Sequence, residues 1–146
     1  MKNYSSTSLV KVSAFQPTSA SLQLLLQAMI RSSQHLAGNN NSIVMNEVSH
    51  NICLAAENQK MIPIINELLR TVIANSRNSQ ICITAERFRD IVILEIQDRN
   101  NFNGYALGFS IQTIEPDAAN AGACLQFNGQ KQKVATVSFS FSNYAA

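Results

Sequence analysis

Two stretches of this chain carry side chains that could do chemistry. In "ELLRTVIANS", Glu67 and Thr71 stand four residues apart, so on a helix the carboxylate and the hydroxyl share one face. The plainer reading of Glu67 is a solvated carboxylate, or a partner for Arg70 on the next turn. In "QDRNNFNGYALGF", Asp98 closes an apolar run, and Asn100, Gly104 and Gly108 follow it. An Asp at a strand end commonly orders a turn. A helix beginning near Gly104 would present backbone N–H groups that attract an anion, while Gly104 and Gly108 also read as helix-start and helix–sheet packing glycines. His35 falls near the end of a helix, where an imidazole interacts favourably with the dipole. No Cys/His spacing suits zinc, and no GxSxG, Walker loop or Cys–His signature appears.

These residues must be positioned by the rest of the chain. Its 146 residues suit one domain, 1–146. Apolar residues make up 46% and charged residues only 14%, so the polar surface is built from Asn, Gln, Ser and Thr, and weak charge repulsion favours self-association. A net charge of +2 with scattered Lys and Arg excludes a nucleic-acid stripe or an anionic-membrane surface. Cys53, Cys82 and Cys124 lie in apolar, strand-like text without a CxxC, as reduced core residues of a cytoplasmic protein would. No apolar run is long enough to predict a membrane span in this segment, and "MKNYSSTSLVKV" has no signal-peptide apolar region.

The hydrophobic pattern predicts the order of elements. Alternation from Leu9 to Phe15 predicts a strand. A helix follows, opened by Pro17 with Thr18 or Ser19 and closed by Gly38, with Leu22, Leu25, Leu26, Met29, Ile30 and Leu36 on one face. "SIVMNEV" and "HNICLAA" read as a hairpin around Ser49 and His50. A second helix runs from about Asn58 to Ser76, with Met61, Ile65, Leu68 and Val72 inward and Pro63 in its first turn. "QICITAE" and "DIVILEIQD" are strands joined near Arg87 to Arg89. "YALGFSIQTIE" is a third helix with Leu107, Ile111 and Ile114 on one side, stopped by Pro116, and "GACLQFNG" and "KVATVSFSFSN" close the chain as a hairpin. The sum is an α+β, two-layer sandwich: a mixed, mostly antiparallel sheet with about three helices on one face.

A helix motif like "NLLxNAxxxS", a strand, a second strand ending in Asp, a loop, a glycine-bearing helix and a final hairpin together resemble a known order. It is that of the ATP-binding domain shared by histidine kinases, gyrase, the large heat-shock chaperones and mismatch-repair ATPases. The likeness covers roughly Leu9 to Ser142 and fits the histidine-kinase branch best. It implies that Thr71 stands where the family uses Asn to hold Mg²⁺, and Glu67 where the gyrase-like branch places its water-activating carboxylate. Asp98 matches the adenine-binding Asp of the family's DxGxG motif, but Asn100 and Phe102 replace its two glycines. Gly104 and Gly108 match the outer glycines of a GxGLG-like turn, with Ala106 at the middle one. The family's long lid shrinks to the five residues between Asp98 and Gly104. Phe102 is placed to plug the narrowed cleft. "EVSHNICLAA" echoes a histidine-kinase phosphoacceptor box, but the text after His50 reads as strand, so no phosphoacceptor is expected.

The nucleotide-binding set implied by the resemblance is therefore Asp98, Asn100, Gly104, Gly108 and Thr71, with Glu67 as the catalytic candidate and no protein-only metal site. The expectation is a degenerate, catalytically inactive domain serving as a binding or regulatory module in bacterial two-component-type signalling, without a cofactor. Its partner would be a kinase dimerisation domain, a receiver domain or another copy of itself. The alternatives are a functional ATP-binding catalytic domain of a divergent sensor kinase, using ATP and Mg²⁺, and a histidine phosphotransfer or anti-sigma-like regulator.

Overall fold

The structure is a computed structural model that describes residues 19–143. The strand expected over Leu9–Phe15 lies outside them. The chain enters as β1 (Ser19–Ser21) and turns at once into α1 (Leu22–Ser32). Ser21 caps that helix, its hydroxyl accepting from the Leu24 N–H at 3.3 Å. The helix expected to run unbroken to Gly38 is interrupted at Ser33, whose N–H is shared between the Met29 and Ile30 carbonyls. A second, short segment, α2 (Gln34–Asn39), follows and ends in an Asn41 with φ 55°.

The next segment departs from the expected hairpin. β2 (Ile43–Asn46) pairs in parallel with β4 (Gln80–Phe88), whereas β3 (Cys53–Ala55) pairs antiparallel with β1. Asn46 separates them. Its amide donates to the Gln23 carbonyl and to Gln27 Oε1, both at 3.0 Å, and its Oδ1 accepts from the Val48 N–H at 3.2 Å. The backbone therefore turns away from β2, and Val48 and Ile52 become buried. A parallel β2–β4 pair also needs a crossover, which α3 (Ile62–Ala74) supplies after a 3₁₀ turn over Ala56–Met61.

α3 buries Ile65, Leu68, Leu69, Val72 and Ile73, the face its periodicity predicts. β4 and β5 (Ile91–Asp98) form a hairpin through Arg89 and Asp90. α4 (Gly104–Gln112) buries Leu107 and Ile111. Pro116 does not stop this helical region. It sits in the first turn of α5 (Glu115–Asn120), where its missing N–H has no partner to lose. β6 (Cys124–Asn128) and β7 (Ala135–Ser142) close the fold.

The five-stranded sheet has the order β2-β4-β5-β7-β6, parallel only at β2–β4. Its inner face carries Val92, Leu94, Ile96, Val137, Phe139 and Phe141, which join the α3 and α4 residues in one apolar core. The alternate positions, such as Glu95, Gln97, Ser138 and Ser140, face away from the core. The α+β, mostly antiparallel architecture with helices on one face is the one the pattern predicts. Of the three cysteines only Cys82 is buried; Cys53 and Cys124 are exposed, because β3 is a short peripheral strand and Cys124 stands on the outward face of an edge strand. Burial, reinforced by a hydrogen bond with Glu47, pushes the Cys82 thiol pKa up. No helix of the described residues is long and apolar enough to cross a membrane.

Asn143 ties the two sheets together. Its Oδ1 accepts from the Ala55 N–H and from Asn58 Nδ2, both at 2.9 Å, and its Nδ2 donates to the Cys53 carbonyl at 2.8 Å. Asn143→Ala would leave buried donors unmatched, so urea denaturation should show a loss of about 2–3 kcal/mol; a loss of a few tenths would mean that β1 and β3 are held by other contacts.

Candidate functional site

The alternation of β5 that aims Val92, Leu94 and Ile96 at the core aims Asp98 there too, and the carboxylate is fully buried. One oxygen is satisfied: Oδ1 accepts from the Ser79 hydroxyl and from the Asn100 N–H at 3.0 Å. The other, Oδ2, is buried without a partner among the described residues. A buried carboxylate oxygen is costly to leave unpaired, so a ligand bringing an N–H donor would be favoured here. Ser79 was not singled out from the sequence. The two-residue turn sets Phe88 opposite Ile91 and Ile81 opposite Asp98, so counting back along the hairpin reaches Ser79 opposite Asn100.

The loop after Asp98 is pinned on both sides. Asn100 Nδ2 donates to the Asn78 carbonyl at 3.1 Å. Asn101 Nδ2 donates to the carbonyls of Gly129 and Gln132 at 2.8 and 3.0 Å, and its N–H to that of Lys133 at 2.8 Å. Asn103 then caps α4, accepting from the Ala106 N–H at 3.2 Å. Phe102 does not plug a cleft. It is 58% exposed, with the Arg77 guanidinium 5.6 Å from its ring centroid.

Gly104 is needed for close approach. A Cβ there would collide with the carbonyl oxygens of Gly129 and Gln130 and with the Asn101 amide nitrogen. The β6–β7 loop can come so near because Gly129, at φ 141°, holds a backbone conformation that side chains disfavour. Gly108 packs on the Phe127 ring, where a Cβ would stand 3.0 Å away. On α3, Glu67 is exposed and Thr71 half-buried, and α3 packs directly on α4. His50 is exposed in the turn before β3 and lies on no helix. The structure thus brings Asp98, Asn100 and Ser79 together and sets Gly104 and Gly108 against the β6–β7 hairpin.

An amine-bearing base would satisfy Asp98 Oδ2. At Gly104 the carbonyl oxygens of Gly129 and Gln130 fill the direction a side chain would take, which places like-charged dipoles beside any phosphate brought to this turn. A threonine at position 71 offers Mg²⁺ a single short hydroxyl, and no group of three or more Asp, Glu, His or Cys among the described residues could hold a metal ion.

No protein-family model and no curated protein sequence matches the chain. Its fold does have counterparts among solved structures. The histidine kinase AdeS of Acinetobacter baumannii is similar over 86% of this chain and 66% of its own, with a TM-score of 0.69 at 10% identity. The nucleotide-free catalytic domain of the histidine kinase ThkA is matched over 90% of this chain and 100% of its own, with a TM-score of 0.66 at 12% identity. Full-length ShkA, solved with AMPPNP, is matched over 92% of this chain but only 34% of its own length, with a TM-score of 0.66 at 14% identity. The chain therefore has the histidine-kinase-type ATP-binding fold, and it spans under two-thirds of the length of AdeS and about a third of ShkA.

The Asp98 cluster makes a prediction independent of any ligand. Asp98→Ala removes the acceptor shared by Ser79 and Asn100 and should destabilise the protein by about 2–3 kcal/mol in urea. Asp98→Asn keeps an acceptor in place and should change stability by less than about 1 kcal/mol. Equal losses from both would mean that the negative charge, and not the hydrogen-bond geometry, holds the turn.

Proposed function

We propose that this chain is a degenerate member of the histidine-kinase-type ATP-binding fold, serving as a catalytically inactive binding or regulatory module in two-component-type signalling. What carries the reading is Gly104: the carbonyls of Gly129 and Gln130 press so closely on it that not even a Cβ would fit, and they crowd the turn where the fold's phosphate contacts would lie. The pinned five-residue loop after Asp98 adds to it, because a lid tied by Asn100 and Asn101 has no length left to close over a triphosphate. Glu67, exposed on α3, then has no metal-bound phosphate to act on. A protein partner follows from the loss of the small ligand: a kinase dimerisation domain, a receiver domain or another copy. ThkA, whose catalytic domain shares this fold, has been solved in complex with a response regulator protein, TrrA.

A second reading is favoured by the unpaired Asp98 Oδ2. In it, Asp98 still receives an adenine amino group, and the chain is a functional ATP-binding catalytic domain of a divergent sensor kinase, with Asn100, Gly104, Gly108 and Thr71 lining the nucleotide.

Thermal melting separates the two. A ligand at a hundred times its Kd adds about 2.7 kcal/mol, worth several degrees in Tm for a chain of this size. With Mg²⁺ and millimolar ATP, the degenerate reading expects Tm to move by less than about 1 °C. A rise of several degrees that Asp98→Asn abolishes would instead establish the second reading.

A further inference from the structure

The sheet ends on β6, and no strand of the described residues pairs with its far edge. Edge strands are usually blunted by charge, proline or a bulge, yet β6 reads Cys-Leu-Gln-Phe-Asn, with neither charge nor proline. On the helical side α4 runs back along this strand. Its start meets Gly129 and Gln130, Gly108 packs on Phe127, and Ile111 shares a groove with Leu125. The groove holds about 420 Å³. Tyr105 and Phe109, one helical turn apart, line it and leave 60% and 72% of their surface in solvent. Exposed aromatic side chains beside an open backbone edge mark a surface for another strand and its neighbours.

The charges at the two ends of this edge show what it fits. Glu115 lines the groove at the end where β6 begins, with Asp117 in the same first turn of α5. Lys131 stands beside Tyr105 and Asn128 at the other end, where β6 finishes. All three charged side chains are exposed. The edge is therefore acidic at one end and basic at the other. An antiparallel copy of the same edge reverses that order, so each end meets its opposite, whereas a parallel copy would set like charges together. With a two-fold axis through Gln126, Leu125 lies opposite the second copy's Phe127 and Glu115 approaches its Lys131, on both sides of the axis. The two α4 helices then run antiparallel, and Tyr105 and Phe109 of one copy face those of the other. Few charged residues, 14%, and a net charge of only +2 leave little repulsion between copies.

We propose that two copies of this chain pair antiparallel along β6 into one continuous sheet, with Tyr105 and Phe109 of both α4 helices packed across the two-fold axis. Of the three protein partners proposed above, this selects another copy. Pairing rests on the edge and not on the nucleotide site, so its failure would leave the outcome of ATP melting untouched, and the reverse. The opposite edge, β2, is also open among the described residues, but the groove beside it, lined by Ile30, Gln34 and Ile43 among others, has no charged side chain to orient a second copy.

Sedimentation of the full chain tests this. At sub-millimolar concentration it should show a concentration-dependent equilibrium between monomer and dimer; a monomer throughout would overturn the proposal. Phe109→Glu, at an exposed position that leaves the core intact, should weaken the dimer about a hundredfold, and an unchanged Kd would place the contact elsewhere and overturn it. Glu115→Lys and Lys131→Glu should each weaken it about tenfold. An equimolar mixture of these two variants should recover the affinity, because the antiparallel arrangement then pairs opposite charges at both ends. A mixture as weak as either variant alone would overturn that arrangement. As a second readout, in a Cys53→Ser, Cys124→Ser background, mild oxidation should link Gln126→Cys between two chains, since a disulfide requires Cα atoms within roughly 7 Å. Faster linkage through Ile43→Cys would assign the pairing to the β2 edge and overturn the proposal.

Discussion

Burying the Asp98 carboxylate at the end of β5 is the constraint around which the site is organised. Period-two alternation leaves no choice about its direction once Val92, Leu94 and Ile96 face the helices. A buried carboxyl group must be supplied with hydrogen-bond partners, and the nearest strand end and the following turn supply them through Ser79 and Asn100. That requirement draws together the turn before β4 and the loop after β5. Asn100 then reaches on to the Asn78 carbonyl, which ties the two turns together.

The same short loop decides what the rest of the site can do. With five residues between Asp98 and Gly104, the chain has to pass directly to α4, and Asn101 anchors it on the β6–β7 loop during that passage. Gly104 and Gly129 let two backbones meet beside the N-terminus of α4. On the proposed reading, the base-binding end of an ATP-type site keeps an acceptor without a partner among the described residues, while the phosphate-binding end is crowded by carbonyl oxygens. The core itself rests on the apolar faces of α1, α3 and α4 against the sheet and includes no residue of either end.

Much of the fold was legible in the sequence. The periodicities of α3 and α4 identify Leu68, Val72, Leu107 and Ile111 as core, and the β4–β5 and β6–β7 hairpins follow from alternation and turn chemistry. Local pattern misled where long-range bonds decide. Asn46 binds residues of α1 and so diverts the chain that otherwise reads as a hairpin. Pro116 is compatible with either stopping one helix or opening the next, and the buried Ile114 and Ala118 on either side select the second. At the site, Asp98 was visible as a strand-end acid, and Ser79 is reached only by counting back along the β4–β5 hairpin. Asn101 carries no local signal, because its partners lie on the distant β6–β7 loop. The positions of Gly104 and Gly108 were legible, whereas the carbonyls and the Phe127 ring that cover them were not.

If the phosphate end of the fold is closed by its own backbone, as proposed, the ¹⁵N-labelled chain titrated with ATP in the presence and absence of Mg²⁺ should show no saturable, Mg²⁺-dependent shift of the amides of Asn101, Gly104, Ala106 and Gly108. Saturating shifts at these four positions that require both ATP and Mg²⁺ would mean that the cradle is open.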